Sequence, residues 1–331
     1  MKNILVTGGA GYIGSVITEA LQGRGFRPIV LDNLSQGHLE ALAPGTEIVV
    51  ADLQDRHALE ELFAKHPIDA VIHMGAVSVV SDSVRQPLKY YLQNVGGLIN
   101  LLLAMRGASV NTIVFSSTAA VYGIPDTVPI TEKAPMRPIN PYGWSKLMCE
   151  QVLADASAAH GVKWVSLRYF NVAGATERCG EWHTPETHLI PRIFEVAEGK
   201  RSHVEIFGTN YDTPDGTCIR DYIHVLDLAD AHILALDAAA RSGGIFNLGT
   251  SNGSSVREVL QCAEKVVGKK IAAKEQPPRL GDPARLVASY ERIEAEVGWK
   301  PKRTLQDVMS SAWAWRVKHP NGYPEAAKAQ P

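Results

Sequence analysis

Short unbroken apolar runs alternate through the first half of the chain with longer stretches whose apolar residues recur at helical spacing. Asn3-Ile4-Leu5-Val6-Thr7, Pro28-Ile29-Val30-Leu31-Asp32 and residues 46–53, 68–76, 111–118 and 163–171 read as strands. Runs that are apolar without polar alternation suit strands covered on both faces. Helices are predicted between them: from about Tyr12 to Gly23, from near Arg56, over residues 87–106, and from Pro141 through Leu153. This order predicts an α/β fold, a Rossmann-type doubly wound parallel sheet. In the helix at 87–106, Tyr90, Tyr91, Leu92, Val95, Leu98, Ile99, Leu101, Leu102 and Leu103 are too many for one stripe. One face is expected on the sheet. The other meets either a partner, joined by Leu147, Val152 and Leu153, or the rest of the same chain.

After Asn171 the texture changes. Residues 176–187 are polar and punctuated by Gly and Pro. A helix at about 189–198, a strand at 204–208, a loop at 210–216, a strand at 218–225 and a helix at 227–240 follow. Then come a short run at 245–249 and a helix near 256–267, with a frayed tail expected at 325–331. The reading is a nucleotide-binding domain over 1–171 and a smaller C-terminal α/β substrate domain over 172–331, with some later chain returning to the first.

With 331 residues, the chain has room for two domains or one enlarged one. A net charge of −2 gives no basic excess for nucleic acid or an acidic membrane. Cys149, Cys179, Cys218 and Cys262 form no Cys-x-x-Cys pair, so neither a disulfide framework nor a metal is expected. The chain enters a strand directly after Met1 and has no apolar run of membrane-spanning length. A cytoplasmic location is the expectation.

The first strand runs into Gly8-Gly9-Ala10-Gly11-Tyr12-Ile13-Gly14 and then a helix. Glycines there make a tight turn, let the backbone approach a pyrophosphate, and let helix pack on strand. The helix N-terminus offers free N–H groups to phosphate. Asp32 ends the second strand 18 residues after Gly14, close to where an acid bonds adenosine ribose hydroxyls. No Arg or Lys follows within Asn33-Leu34-Ser35-Gln36-Gly37, which favours NAD over NADP. Asp52 is placed either for the adenine amino group or to cap the helix starting near Arg56. His73, at a strand end, reads as structural. Asn94 lies inside the long helix, with a surface amide as its plain alternative.

Ser116, Ser117 and Thr118 put hydroxyls at the carboxyl end of the fifth strand, where such sheets bind ligands. Pro141 opens a helix in which Tyr142 and Lys146 are four apart and share a face. An ammonium near a phenol favours the phenolate. Tyr142 and Lys146, with Thr118 and the glycine turn, form a far more specific set than any member alone.

These motifs resemble the extended short-chain dehydrogenase/reductase family, and within it the NAD-dependent UDP-glucose (UDP-galactose) 4-epimerases. The resemblance rests on the turn Thr7 to Gly14, Asp32-Asn33-Leu34, Ser116-Ser117-Thr118-Ala119-Ala120-Val121-Tyr122-Gly123 and Pro141-Tyr142-Gly143-Trp144-Ser145-Lys146. Arg168-Tyr169-Phe170-Asn171, Arg220-Asp221-Tyr222-Ile223-His224-Val225 and Arg279-Leu280-Gly281-Asp282 extend it nearly end to end. It implies that Tyr142 takes the proton from the sugar 4′-hydroxyl, Thr118 shares that bond, and Lys146 bonds the nicotinamide ribose. Hydride would pass from C4′ to tightly held NAD and return to the other face of a 4-keto sugar. The resemblance further implies cofactor contacts at Gly8, Gly11, Tyr12, Ile13, Gly14, Asp32, Asn33, Ser35, Asp52 and Leu53. Met74, Gly75, Ala76, Asn94, Ser116 and Tyr169 complete that set. It places the UDP-sugar against Asn171, Leu189, Phe207 and Tyr222, with Arg220 and Arg279 on the diphosphate and Asp282 on the ribose. A homodimer with a four-helix interface is implied as well.

Two positions depart from or vary within that pattern. Thr118 stands where many epimerases have Ser, and Leu286 falls where the family alternates between bulky and small residues. UDP-pentose and UDP-N-acetylhexosamine 4-epimerases therefore stay open as alternatives. A 4,6-dehydratase needs Asp-Glu after the Thr as acid and base, and Ala119-Ala120 stand there instead. A non-catalytic NAD-binding protein would tolerate loss of Tyr142 or Lys146, and both are present.

Overall fold

The alternation of strands and helices predicted for the first half is present. β1 (Asn3–Thr7), α1 (Tyr12–Gly23), β2 (Arg27–Asp32), β3 (Glu47–Val50), α2 (Arg56–Lys65) and β4 (Ala70–His73) come first. A computed structural model gives the coordinates and describes residues 2–241, 243–279 and 281–324; the expected tail at 325–331 lies outside them. Next are α3 (Val80–Arg85), α4 (Pro87–Tyr90), a π-helical segment (Tyr91–Gly96), α5 (Gly97–Gly107), β5 (Thr112–Thr118), α6 (Pro141–His160) and β6 (Lys163–Tyr169). The second half holds β7 (Asn171–Ala173), α7 (Leu189–Ala197), β8 (Val204–Phe207), β9 (Ile219–Arg220), β10 (Tyr222–His224), α8 (Val225–Arg241) and β11 (Gly244–Leu248). It closes with β12 (Ser254–Ser255), α9 (Val256–Val267), β13 (Ala273–Gln276), β14 (Arg285–Leu286), α10 (Glu291–Val297) and α11 (Leu305–Lys318).

The main sheet has seven strands in the order β11-β6-β5-β4-β1-β2-β3, every pairing parallel. The chain winds outward from β1 to β2 and β3, then crosses back to β4, β5 and β6. The switch point therefore lies between β1 and β4, and ligands bind at the carboxyl ends of the strands there. β11 is the later chain that returns to the sheet, pairing with β6.

Period-two geometry sends neighbouring residues to opposite faces. Ile4 and Val6 join Val16, Ile17 and Leu21 of α1 and Leu228 and Ala235 of α8. Leu5 points the other way, to Leu59, Leu62, Leu98, Leu101, Phe115 and Leu153 from α2, α5, β5 and α6. A third core, with Ile193, Phe194, Val259, Ala263, Val308 and Met309, packs α7, α9 and α11 together. Among the described residues no helix is long and apolar enough to cross a membrane.

Three expectations change. Residues 87–106 are not one regular α-helix, because the π-helical turn at Tyr91–Gly96 interrupts them and carries Asn94 to the interior. The strand expected at 218–225 splits at Asp221, whose buried carboxylate accepts bonds from Thr250 N (2.7 Å), Thr250 Oγ1 (2.6 Å), Ser251 N (3.2 Å) and Ala288 N (3.1 Å). β9 then pairs with β12 and β14, and β10 pairs with β7. The third and fourth strands stop at Val50 and His73, so the backbone after β4 leaves the sheet at the switch point, and that after β3 leaves it at the edge.

α6 begins where Asn140 caps it, its side chain accepting from Gly143 N at 2.9 Å with Pro141 in the first turn. It ends at Gly161 in the left-handed region, φ 69°. Midway along it Glu150 is buried and bonded on three sides. Its Oε1 accepts from Ser117 (2.6 Å), Ser166 (2.8 Å) and Arg168 Nε (2.9 Å), and its Oε2 accepts from Arg168 Nη2 at 2.5 Å. Arg168 is 1% exposed. Its Nη1 donates to Tyr122 OH at 2.9 Å, and Tyr122 donates to Asn247 Oδ1 at 2.7 Å.

Removing one member of such a pair strands the other charge in the interior, at about 3–5 kcal/mol. Arg168→Met is expected to lose about that much in urea unfolding, and Arg168→Met with Glu150→Met to regain part of it. A single variant within about 1 kcal/mol of the parent would contradict this assignment.

Candidate active site

The glycine turn is built around close backbone approach. Gly8 has φ 68°, and a Cβ there would lie 2.8 Å from Gly75 N, so the turn after β1 rests directly on the chain leaving β4. A Cβ on Gly14 would meet Gly8 O at 2.0 Å, which is why α1 can start against the turn. The first turn of α1 holds no acidic residue and no side-chain cap. The N–H groups of Tyr12 and Ile13 have no acceptor among the described residues. A cradle only glycine fits, beneath free donors at a helix N-terminus, matches a pyrophosphate.

Asp32 closes the cradle from the side. Its Oδ2 accepts from Ala10 N (3.0 Å) and its Oδ1 from Leu34 N (2.8 Å). Burial raises its pKa, and the N–H groups of Leu34, Ala10 and Gly11 pull it back down. Asp52 does not cap α2; Asp55 does, accepting from Ala58 N at 3.0 Å. Asp52 instead ties the two loops at the strand ends, accepting from Asn33 Nδ2 (2.7 Å) and Gln54 N (2.8 Å). Ser35 N bonds Asn33 Oδ1 at 3.0 Å, and Leu53 packs under Gly75. Met74 N and Gly75 N both donate to Thr7 Oγ1 at 3.2 Å, a role at the end of β1 that sequence reasoning missed. His73, bonded to that hydroxyl at 2.7 Å, is held neutral with its pKa pushed down to about 3 by burial and Lys146, so it is structural.

Asn94 is no surface amide. It is 2% exposed, accepts from Val77 N (2.9 Å), and donates to Val77 O (3.1 Å) and Ser145 Oγ (2.9 Å). Its amide is spent inside the protein, clipping the loop that carries Ala76 to α6.

The catalytic candidates converge on the end of β5. A Cβ on Gly143 would meet Ala120 O at 2.6 Å, so the first turn of α6 seats against the turn that follows Thr118. Tyr142 is thereby brought to the Thr118 hydroxyl. Burial pushes the Tyr142 phenol up to about 12, and the neighbouring Thr118 hydroxyl pulls the other way. Lys146 is 4% exposed, donates to Ser116 O at 2.9 Å, and lies 4.8 Å from the centre of the Phe115 ring. Burial brings its pKa down from 10.5 to about 8. Ser116 Oγ bonds His232 Nε2 at 3.0 Å; His232 Nδ1 donates to Leu228 O at 2.9 Å, so Nε2 accepts. Tyr169, its pKa raised by burial, tilts over the His232 ring at 6.1 Å.

The second-half candidates form their own group. Arg220 Nη1 donates to Ile219 O (2.8 Å) and Pro283 O (2.9 Å), and Nη2 is bonded to Asp282 Oδ1. Nε and one Nη2 hydrogen keep no partner among the described residues. Arg279 lies over Phe207, 3.9 Å from guanidinium carbon to ring centre. Tyr222 sits buried, its phenol raised by burial and lowered in part by Arg220. Tyr211 faces the same charges with a buried OH that bonds nothing described, a residue the sequence reading passed over. Asn171 is exposed, its N–H on Asp221 O at 2.9 Å, and Leu189 starts α7. Leu286 packs with Val121, Tyr122 and Leu147, which joins this group to the Tyr142 end of α6.

The model of the NAD dependent epimerase/dehydratase family matches residues 4–249. The chain belongs to this family. It is 49% identical over 327 residues to the UDP-glucose 4-epimerase of Streptococcus mutans, covering 97% of this chain and 98% of the relative. Its fold superposes on UDP-glucose 4-epimerase from Brucella ovis in complex with NAD, with TM-score 0.92 and 43% identity over 95% of this chain and 98% of that one. The enzyme from Bifidobacterium longum in complex with NAD+ and UDP gives TM-score 0.93 and 38% identity, over 97% and 100% of the two chains.

Burying Lys146 has a thermodynamic sign. With its pKa lowered from 10.5 to about 8, the folded state carries a desolvated charge below pH 8, worth roughly 3 kcal/mol. Between those values the unfolded chain binds more protons, so the penalty fades as pH rises. Lys146→Met is expected to be about 1–3 kcal/mol more stable than the parent at pH 7, with the gap narrowing toward pH 10. Urea melts at both pH values test this; a variant that is less stable at pH 7 would refute it.

Proposed function

We propose that this chain is a UDP-glucose 4-epimerase that interconverts UDP-glucose and UDP-galactose through a 4-keto sugar. The carrying observation is Tyr142 against the Thr118 hydroxyl with Lys146 buried one turn on, in a chain matched end to end by relatives of that name. The cradle formed by Gly8, Gly11, Tyr12, Ile13 and Gly14 would hold the NAD pyrophosphate and Asp32 the adenosine ribose. Bound NAD supplies a hydride acceptor that returns the hydride to the opposite face of the sugar. Tyr142 takes the proton from the 4′-hydroxyl, Thr118 orders that hydrogen bond, and Lys146 holds the ribose hydroxyls. A phenol at about 12 needs roughly 7 kcal/mol to be half ionised at pH 7, more than Lys146 alone delivers. A second positive charge in the crevice would add to Lys146 in favouring the phenolate. Arg220 and Arg279 supply the cations for the UDP diphosphate, with Asp282 and Tyr222 beside them.

We divide the chain after Asn171 into a cofactor part and a UDP-sugar part, with β11 and α8 assigned to the first. We further infer a homodimer. Leu88, Leu92, Ile99 and Met148 are 81%, 59%, 42% and 43% exposed, and Ile99, Leu102, Leu103 and Val152 line an apolar groove of about 330 Å³ between α5 and α6. Four free thiols, three of them buried, support a reducing, cytoplasmic setting.

Tyr142→Phe should keep nucleotide binding and lose about 10²–10⁴-fold in kcat at every pH, whereas Lys146→Ala should recover partly at high pH. NMR of 4-epimer formation from UDP-galactose, UDP-N-acetylgalactosamine and UDP-arabinose in parallel reads both variants and the sugar. Near-normal turnover by Tyr142→Phe, or no turnover of UDP-galactose by the parent, ends the reading. Released cofactor should weigh as NAD, not NADP, and light scattering should give twice the 35.9 kDa chain mass.

A further inference from the structure

The loop that leads into α7 carries Glu181, His183, Glu186 and His188, none of which the reaction above uses. Their donor atoms all lie within 4.8 Å of one another. His188 Nδ1 is 2.9 Å from Glu181 Oε1 and 3.2 Å from Glu186 Oε1. His183 Nδ1 is 3.6 Å from Glu181 Oε1 and 3.8 Å from Glu186 Oε2, and is buried without a hydrogen bond. Four ligands held at about 2.0–2.1 Å in a tetrahedron stand about 3.3 Å apart, the middle of this range.

We propose that these four side chains bind a divalent transition metal of the zinc class. Two neutral imidazoles and two carboxylates suit such an ion, and the two negative charges it would neutralise are on glutamates only 9% and 6% exposed. Nitrogen donors disfavour magnesium and calcium, which take oxygen ligands. The site has support and access. Glu186 Oε1 accepts from Thr187 N (2.7 Å) and His188 N (2.8 Å) at the start of α7. A cavity of about 410 Å³ opens onto His183 and Glu186, which gives the ion a way in. The His183 ring meets Tyr12 of the cofactor turn edge-on at 6.5 Å. A bound ion therefore braces the start of α7 against that turn. The cysteine spacing that argued against zinc does not bear on this set.

The competing state is metal-free, with a protonated His188 bridging the two glutamates. Calorimetry separates them. Untagged protein is stripped with a chelator, dialysed, and titrated with zinc chloride, magnesium chloride or calcium chloride. The expected result is one zinc per chain at micromolar affinity or tighter, a raised melting temperature, and no effect of magnesium or calcium. His183→Ala and His188→Ala should each weaken zinc binding at least tenfold. Glu186→Gln keeps a carbonyl oxygen for Thr187 N and His188 N and should weaken it too, which guards against a trivial folding defect. Absence of saturable zinc binding overturns the proposal. So does binding unchanged in the His183→Ala/His188→Ala double variant.

Discussion

The buried ion pair between Glu150 and Arg168 is the constraint on which the active site depends. It joins the middle of α6 to β5 through Ser117 and to β6 through Ser166 and Arg168. Through Tyr122 and Asn247 it reaches β11, the strand contributed by the second half. An apolar contact of the same area would be non-directional and would leave α6 free to slide. A charge pair with every acceptor filled has one register. Buried pairs are not an economical source of stability. The reason to read this one as a positioning device is what α6 carries at its other end, one turn apart: Tyr142 and Lys146.

Those two residues show why positioning matters more than residue type. Burial moves their protonation equilibria toward each other's neutral forms, the phenol up to about 12 and the ammonium down to about 8. Near pH 7 the lysine is still mostly charged and the phenol is neutral, so it is the phenol that waits for further positive charge to enter the crevice. His73 and His232 are held neutral by the same desolvation, at about 3 and about 4, and so add no competing charge. With both imidazoles neutral, Lys146 is the buried positive charge beside Tyr142, and the chemistry of the slot depends on what binds in it.

Features set by near neighbours in sequence were legible without coordinates. The glycine turn, the β1 to β6 run and the Tyr142–Lys146 face each follow from local spacing. So does the helix start at Pro141. What was not legible depends on partners far along the chain. Asn94 looks like any helical amide until Val77 and Ser145 close on it from 17 and 51 residues away. Asp221 breaks a strand because Thr250 and Ala288 deliver donors to it. Arg220 reads as a phosphate ligand, and the fold adds that Asp282 already holds one of its arms. Asp52 reads either as an adenine contact or as a helix cap, and the second falls because Asp55, three residues later, caps α2 through Ala58.

The π-helical turn at Tyr91–Gly96 makes the long helix a counting device. Each residue advances an α-helix by about 100°, so one residue more or fewer rotates everything beyond it by that angle. Closing the wide turn by deleting one residue would leave Leu98 and Leu101 facing the sheet, but Asn94 would lose its hold on α6. One residue more or fewer within the regular α5 has no wide turn to absorb it, and would swing the inward apolar face off the sheet. Length in this segment is therefore under stricter constraint than composition. Substitutions can be absorbed one side chain at a time, whereas an insertion or deletion uncouples the outer surface of the helix from the site behind it.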